Sequence, residues 1–234
     1  MKREMKLDTL SVAYTQWLLR HSRLVIFVSL SVVLGCALGM RYFVLNNDYA
    51  VFFEEDDPRV LAYQETQREF GKDDTVFFVV TSLTGDVFDR HTLEAVAWLT
   101  EKAWHLPYAT RVDSLTTFQH AWSEGDDLLV APLIDNPAAM TNEALAAARD
   151  IALNEPLLRN RLVRAGSPVT GVNVAVQLPA SIPRVSIEVT RAAEALQAEM
   201  AGLFPEVAVR ITGLVPLNSA FLITALQDLV RLVP

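Results

Sequence analysis

The chain has 234 residues, 20 basic against 28 acidic side chains, and a formal net charge of −8. That balance, with no Arg/Lys stripe outside the first 23 residues, argues against nucleic acid as a partner. Its one cysteine, Cys36, excludes an intrachain disulfide framework.

Residues 1–23 form a basic, cytoplasmic tail in which Lys2, Arg3, Lys6, Arg20 and Arg23 outweigh Glu4 and Asp8. Leu10, Tyr14, Trp17 and Leu18 fall at helical spacing. The tail is either an amphipathic lead-in with Trp17 at a membrane interface or a plain basic flank. Leu24 to Met40, LVIFVSLSVVLGCALGM, is an uncharged run that Tyr42 to Leu45 prolong past Arg41. A bilayer core of about 30 Å needs roughly 17–25 helical residues. Residues 24–45 are therefore expected to be a retained transmembrane helix. A cleaved signal peptide has a shorter apolar region, of about 7–15 residues. Val33-Leu34-Gly35-Cys36 weakly resembles a lipoprotein cleavage box, but the apolar run continues past Cys36. A buried soluble helix shows a polar face, and here only Ser29 and Ser31 interrupt the pattern. Basic residues beside a span favour the cytoplasmic side. The N-terminus is thus expected inside, and the acidic stretch Asp48 to Asp57 outside, in the periplasm of a bacterium. Arg41 either snorkels to the outer interface or meets a lipid headgroup.

Residues 46–213 read as the outer domain. Asn46-Asn47-Asp48 is a turn. Asp56 or Asp57 caps a helix with Pro58 in its first turn, running to Phe70 and ended by Gly71. Thr75 to Thr81, TVFFVVT, suits a central strand covered on both faces. Asp89 to Leu106 reads as a helix with Leu93, Val96, Ala97, Thr100, Ala103 and Trp104 on one face, stopped by Pro107. Arg111 to Thr117 is a second strand. Ser123 to Asp127 is a turn, and Leu128 to Ile134 a short or edge strand because of Pro132. Thr141 caps a helix that runs to about Leu153, with Glu143 in its first turn. Leu162 to Arg164 and Val169 to Leu178 read as a hairpin around Ala165-Gly166-Ser167-Pro168. Val172, Val174, Val176 and Leu178 share one of its faces. Val185 to Phe204 is an amphipathic helix with Val189, Ala192, Ala193, Leu196, Met200 and Leu203 on its apolar side. Val207, Val209 and Ile211 alternate with polar or small residues in a strand that Gly213 ends. Residues 214–234 continue in a helical apolar pattern through Leu217, Phe221, Leu222, Leu226, Leu229, Val230, Leu232 and Val233. The pattern breaks off at Pro234, so the chain is expected to be a fragment stopping where a second membrane helix begins.

The outer domain thus reads as strand–helix–strand twice, with extra hairpin strands. The expected fold is an α+β sandwich of the ferredoxin-like kind, two helices on one face of a mostly antiparallel sheet. The strand order is not legible.

No catalytic, cofactor-binding or metal-binding residue is assigned, and no enzyme activity is expected. His21, His91, His105 and His120 are scattered and make no H-x-x-x-H pair. The doublets Asp56-Asp57, Asp73-Asp74 and Asp126-Asp127 are read as solvated turns and caps rather than a calcium site or acid/base pair. No G-x-S-x-G, P-loop or G-x-G-x-x-G occurs. Nothing ionisable lies within Leu24 to Met40, so that helix does not itself relay protons.

A set of local likenesses now falls in order. They are Phe53-Glu54-Glu55-Asp56-Asp57-Pro58, Glu69-Phe70-Gly71-Lys72-Asp73-Asp74 before an apolar strand, Val112-Asp113-Ser114-Leu115, and Thr212-Gly213 ahead of the last helix. Asp228-Leu229 followed by Leu232-Val233-Pro234 joins them. With the basic tail, the span and the acidic linker, they resemble the first quarter of a resistance-nodulation-division (RND) superfamily exporter. The branch most similar includes the mycobacterial large membrane proteins (MMPL) and the hopanoid transporters. The resemblance implies a porter-type periplasmic domain in a multi-pass protein of the bacterial inner membrane. It implies proton-driven export of lipids or other hydrophobic molecules, with the outer domain forming part of the substrate path. The implied partners are the lipid bilayer, further transmembrane helices, a second periplasmic domain, the hydrophobic substrate and further copies of the chain. The family's proton-carrying acids belong to middle membrane helices and map to no residue here. The alternative from another class is a single-span, membrane-anchored periplasmic sensor or envelope assembly factor.

Overall fold

The computed structural model describes residues 15–39, 57–70, 74–179 and 185–232. Two units separate between residues 45 and 46. In the first, α1 (Ser22–Gly39) carries no charged residue after Arg23 and buries none of its side chains. Ile26, Phe27 and Leu30 are each about two-thirds exposed. The Ser31 hydroxyl donates to the Phe27 carbonyl at 2.8 Å, so this polar group is satisfied within the helix. Among the described residues, α1 is the one helix long and apolar enough to cross a membrane. The expected span begins two residues inside α1. Its residues 40–45, Arg41 included, lie outside the described residues, as do Leu10 and Tyr14 of the tail.

The second unit begins, among the described residues, with α2 (Pro58–Phe70), where the Asp57 carboxylate accepts from the Arg59 N–H at 2.8 Å. A sheet follows, built from β1 (Asp74–Ser82), β2 (Ala109–Asp113), β5 (Val169–Val176) and β6 (Val207–Thr212). Its order is β2-β5-β1-β6 and every neighbouring pair is antiparallel. Two helices cross from strand to strand: α3 (Arg90–Ala103) after β1, and α5 (Val185–Leu203) after β5. Val76, Phe78 and Val80 of β1 meet Val172, Val174 and Val176 of β5 on one sheet face. That face is covered by Ala95, Val96, Leu99 and Ala103 of α3 and by Val185, Val189, Ala193, Leu196 and Met200 of α5. Burying each large side chain contributes roughly 1.5–3 kcal/mol, so this layer is the main source of stability.

Thr75, Phe77, Val79 and Thr81 alternate with the core residues and are only half-buried. The expectation of a strand covered on both faces is therefore corrected. The apolar run in β1 hides a period-2 pattern because two of its outward positions, Phe77 and Val79, are also apolar. Phe77 explains part of this: its ring lies over Gly171, where an added Cβ would come within 2.2 Å of the ring.

Between β2 and β5 the chain inserts a second layer. β3 (Gln119–Glu124) and β4 (Asp127–Pro132) form a separate hairpin, followed by a 3₁₀ turn at Pro137–Ala139 and by α4 (Asn142–Asn154). Leu115, Leu133, Ile134, Leu145, Ala148, Ala152, Leu158 and Val163 make its core with Val87, Phe88 and Leu93. Helix α3 thus serves two cores, Leu93 in the inserted one and Val96, Leu99 and Ala103 in the sheet's.

Several expected boundaries change. The strand at 111–117 ends at Asp113, because the Ser114 hydroxyl accepts from the N–H groups of Thr116 and Thr117 and closes a local turn. The strand 119–124 was not expected. Leu162 to Arg164 pairs with nothing in the sheet. Val163 bridges only to Arg159, and β5 pairs with β1 and β2, so the expected hairpin around Gly166 does not form. Trp104 and Leu203 are about half exposed rather than on the buried helix faces. By contrast, the capping at Thr141 and the alternation in β6 match expectation.

Candidate functional surfaces

The last strand, β6, continues through a single residue into α6 (Leu214–Leu232). That residue is Gly213, at φ +116°. A Cβ there would lie 2.5 Å from the Thr75 carbonyl oxygen, so both its conformation and its surroundings exclude a side chain. Val215, Ser219 and Leu222, spaced by four and three, seat the first half of α6 on the domain. The outward side shows Leu217 and Phe221. Among the described residues, α6 at 19 residues is long enough for a span but not apolar enough, since Asn218, Gln227, Asp228 and Arg231 dilute it.

A groove of about 780 Å³ runs between α5 and α6. Ile187, Ile223 and Leu226 supply apolar surface, and Glu188, Arg191, Gln227 and Arg231 supply polar ends. Its size is that of small-molecule sites in general. A smaller cleft of about 400 Å³ lies at the start of α3. There Asp86 accepts from the Phe88 N–H at 3.0 Å and pairs with Arg149 of α4, whose guanidinium sits 5.5 Å from the Phe88 ring centre. Arg90 donates to the Ala138 carbonyl at 2.6 Å. These contacts tie the inserted layer to the sheet layer. Nothing in the sequence pairs Asp86 with a residue 63 positions away, so this cleft was not legible in advance.

The residues weighed in the sequence do not gather into one place. Asp56 and Asp73 lie outside the described residues. Asp57 caps α2, Asp74 opens β1, and Asp126 and Asp127 stand at the β3–β4 turn. His21 Nδ1 lies 3.0 Å from the Trp17 carbonyl oxygen and His105 Nδ1 3.1 Å from that of Glu101. His91 lies 3.5 Å from the Glu94 carboxylate, and His120 stacks on Trp122. Among the described residues, no three His, Cys, Asp or Glu side chains group as metal ligands do. Cys36 is exposed on α1.

Compared with known proteins, the chain matches no family model and no curated protein.

Proposed function

We propose that this chain is the amino-terminal part of a proton-driven exporter of lipids or other hydrophobic molecules in a bacterial inner membrane, of the resistance-nodulation-division superfamily and its MMPL/hopanoid-transporter branch. In this reading α1 is the first span, the sheet domain is periplasmic and ferredoxin-like, and α6 leads into the second span. The observation that carries it is the junction at Gly213. The element order β-α-β-β-α-β and the sheet order β2-β5-β1-β6 support the ferredoxin-like reading. The sheet's edge strand enters α6 through one residue, without a loop. A displacement of α6 is then delivered to the sheet edge, which is what coupling a membrane helix to an outer substrate path requires. The α5–α6 groove, apolar along Ile187, Ile223 and Leu226, offers surface for a hydrophobic substrate on that path. The proton carriers and the second outer domain belong to other parts of the protein.

The test is loss of function in cells. Deleting the intact gene is expected to leave a lipid class stranded in the inner membrane, and an uncoupler is expected to reproduce that defect in wild-type cells. Unchanged lipid distribution in the deletion strain contradicts the proposal.

A single-span sensor or assembly factor draws on a different observation: among the described residues, only α1 is long and apolar enough to cross a membrane. That reading expects export to be untouched by the deletion.

A further inference from the structure

The β3–β4 hairpin stands out from both cores. Every residue from Gln119 to Glu124 and from Asp127 to Pro132 is exposed or half-buried. An isolated two-stranded hairpin is at best marginally stable in water. This one is also apolar on both faces. Trp122 faces Leu129 across the strands on one side, with His120 stacked on Trp122 at 5.6 Å. Ala121 faces Val130, and Ser123 faces Leu128, on the other. Leu128 is 73% exposed and Val130 56%. Its tip, Glu124-Gly125-Asp126-Asp127, carries three carboxylates and no cation.

A surface of the opposite character lies in the same inserted layer. The loop after α4 presents Arg159, Arg161 and Arg164, all exposed, beside Leu157 at 60% exposure. Among the described residues, no ion pair engages any of these arginines or any of the three tip carboxylates. The acidic tip also disfavours an anionic lipid surface, which attracts basic segments.

We propose that the hairpin is a self-association element: two copies of this chain pair about a two-fold axis, each seating its hairpin on the other's arginine loop. Hairpin and loop then occur once per copy and meet reciprocally, so the contact closes rather than growing into a filament. The apolar strands supply buried area, and the tip carboxylates against Arg159, Arg161 and Arg164 fix the register. The proposal does not depend on the exporter reading.

Charge swapping tests it on the full chain in detergent, with mass read by light scattering. The native chain is expected to be a dimer. Reversing the tip (Asp126→Arg with Asp127→Arg) is expected to weaken association more than about tenfold, and so is reversing the loop (Arg161→Glu with Arg164→Glu). Combining both reversals in one chain is expected to restore the dimer. All four positions are exposed, and circular dichroism checks that each variant is folded. A monomeric native chain, a dimer indifferent to the reversals, or a combined variant that stays monomeric each overturns the proposal.

Discussion

Thr170 lies across from Val80 in the sheet, 2% exposed, and its hydroxyl oxygen finds no partner among the described residues. A buried unsatisfied hydroxyl costs about 1–3 kcal/mol. Thr170→Val keeps the shape and removes the polar atom, so thermal unfolding is expected to shift upward; a lower melting temperature contradicts this. Gly213 poses the opposite case. Gly213→Ala meets both an unfavourable backbone angle and the Thr75 carbonyl, and is expected to cost on the order of 1–3 kcal/mol or more. Gly85→Ala is the comparison, since Gly85 also has positive φ (+90°) but nothing within 4 Å of an added Cβ. It is expected to lose only the backbone share. Equal losses at the two sites argue that the close approach at Gly213 carries no weight. The positive φ at Gly213 was not legible in the sequence, which showed only that a strand ends there. The carbonyl it touches belongs to Thr75, far away in the chain.

At the scale of the element, helix starts were the most legible feature, because a cap is made by residues a few positions apart. Asp57, Asp89 and Thr141 all accept from N–H groups two or three residues on. Thr141→Ala is expected to destabilise α4 by about 1 kcal/mol, read as a lower unfolding midpoint in denaturant. Glu143 sits in the same first turn. Its own backbone N–H, and then the Thr141 hydroxyl, hold its carboxyl below the usual value of 4.5. A depressed carboxyl contributes stability above its unfolded value and loses it as the pH falls through the folded one. Glu143→Gln is therefore expected to flatten the acid side of the stability profile below about pH 4.5 and to change little under acid conditions where the group is protonated in both states; an unchanged acid limb contradicts this. Strand partners were the least legible. Alternation placed Val172, Val174 and Val176 on one face correctly, but it names no partner. The nearest apolar segment, Leu162 to Arg164, was the natural local choice, whereas the sheet pairs Val174 with Val76 and Val112. The hairpin at 119–132 was half seen because its exposed strands mix Trp, Leu and Val with polar residues and show no buried face.

For the whole molecule, the mixed α+β architecture and the apolar helix at 22–39 followed from composition and periodicity, since both depend on which residues meet water. The sheet order did not follow, because it depends on pairings across most of the domain. No residue of α1 is buried, so its apolar side chains need a cover that this unit does not provide. Deleting residues 22–39 is expected to leave the protein in the membrane fraction, held by the further spans that the exporter reading requires. Retention after the deletion therefore indicates a second anchor, and release indicates that α1 is the sole one. The reading as an exporter rests on that second anchor. The most direct measurement is the coding sequence downstream of codon 234 with its hydropathy profile. The account expects a series of further spans, one of the middle ones carrying acidic residues, and a second outer domain. A stop codon or a soluble signalling module at that point contradicts it.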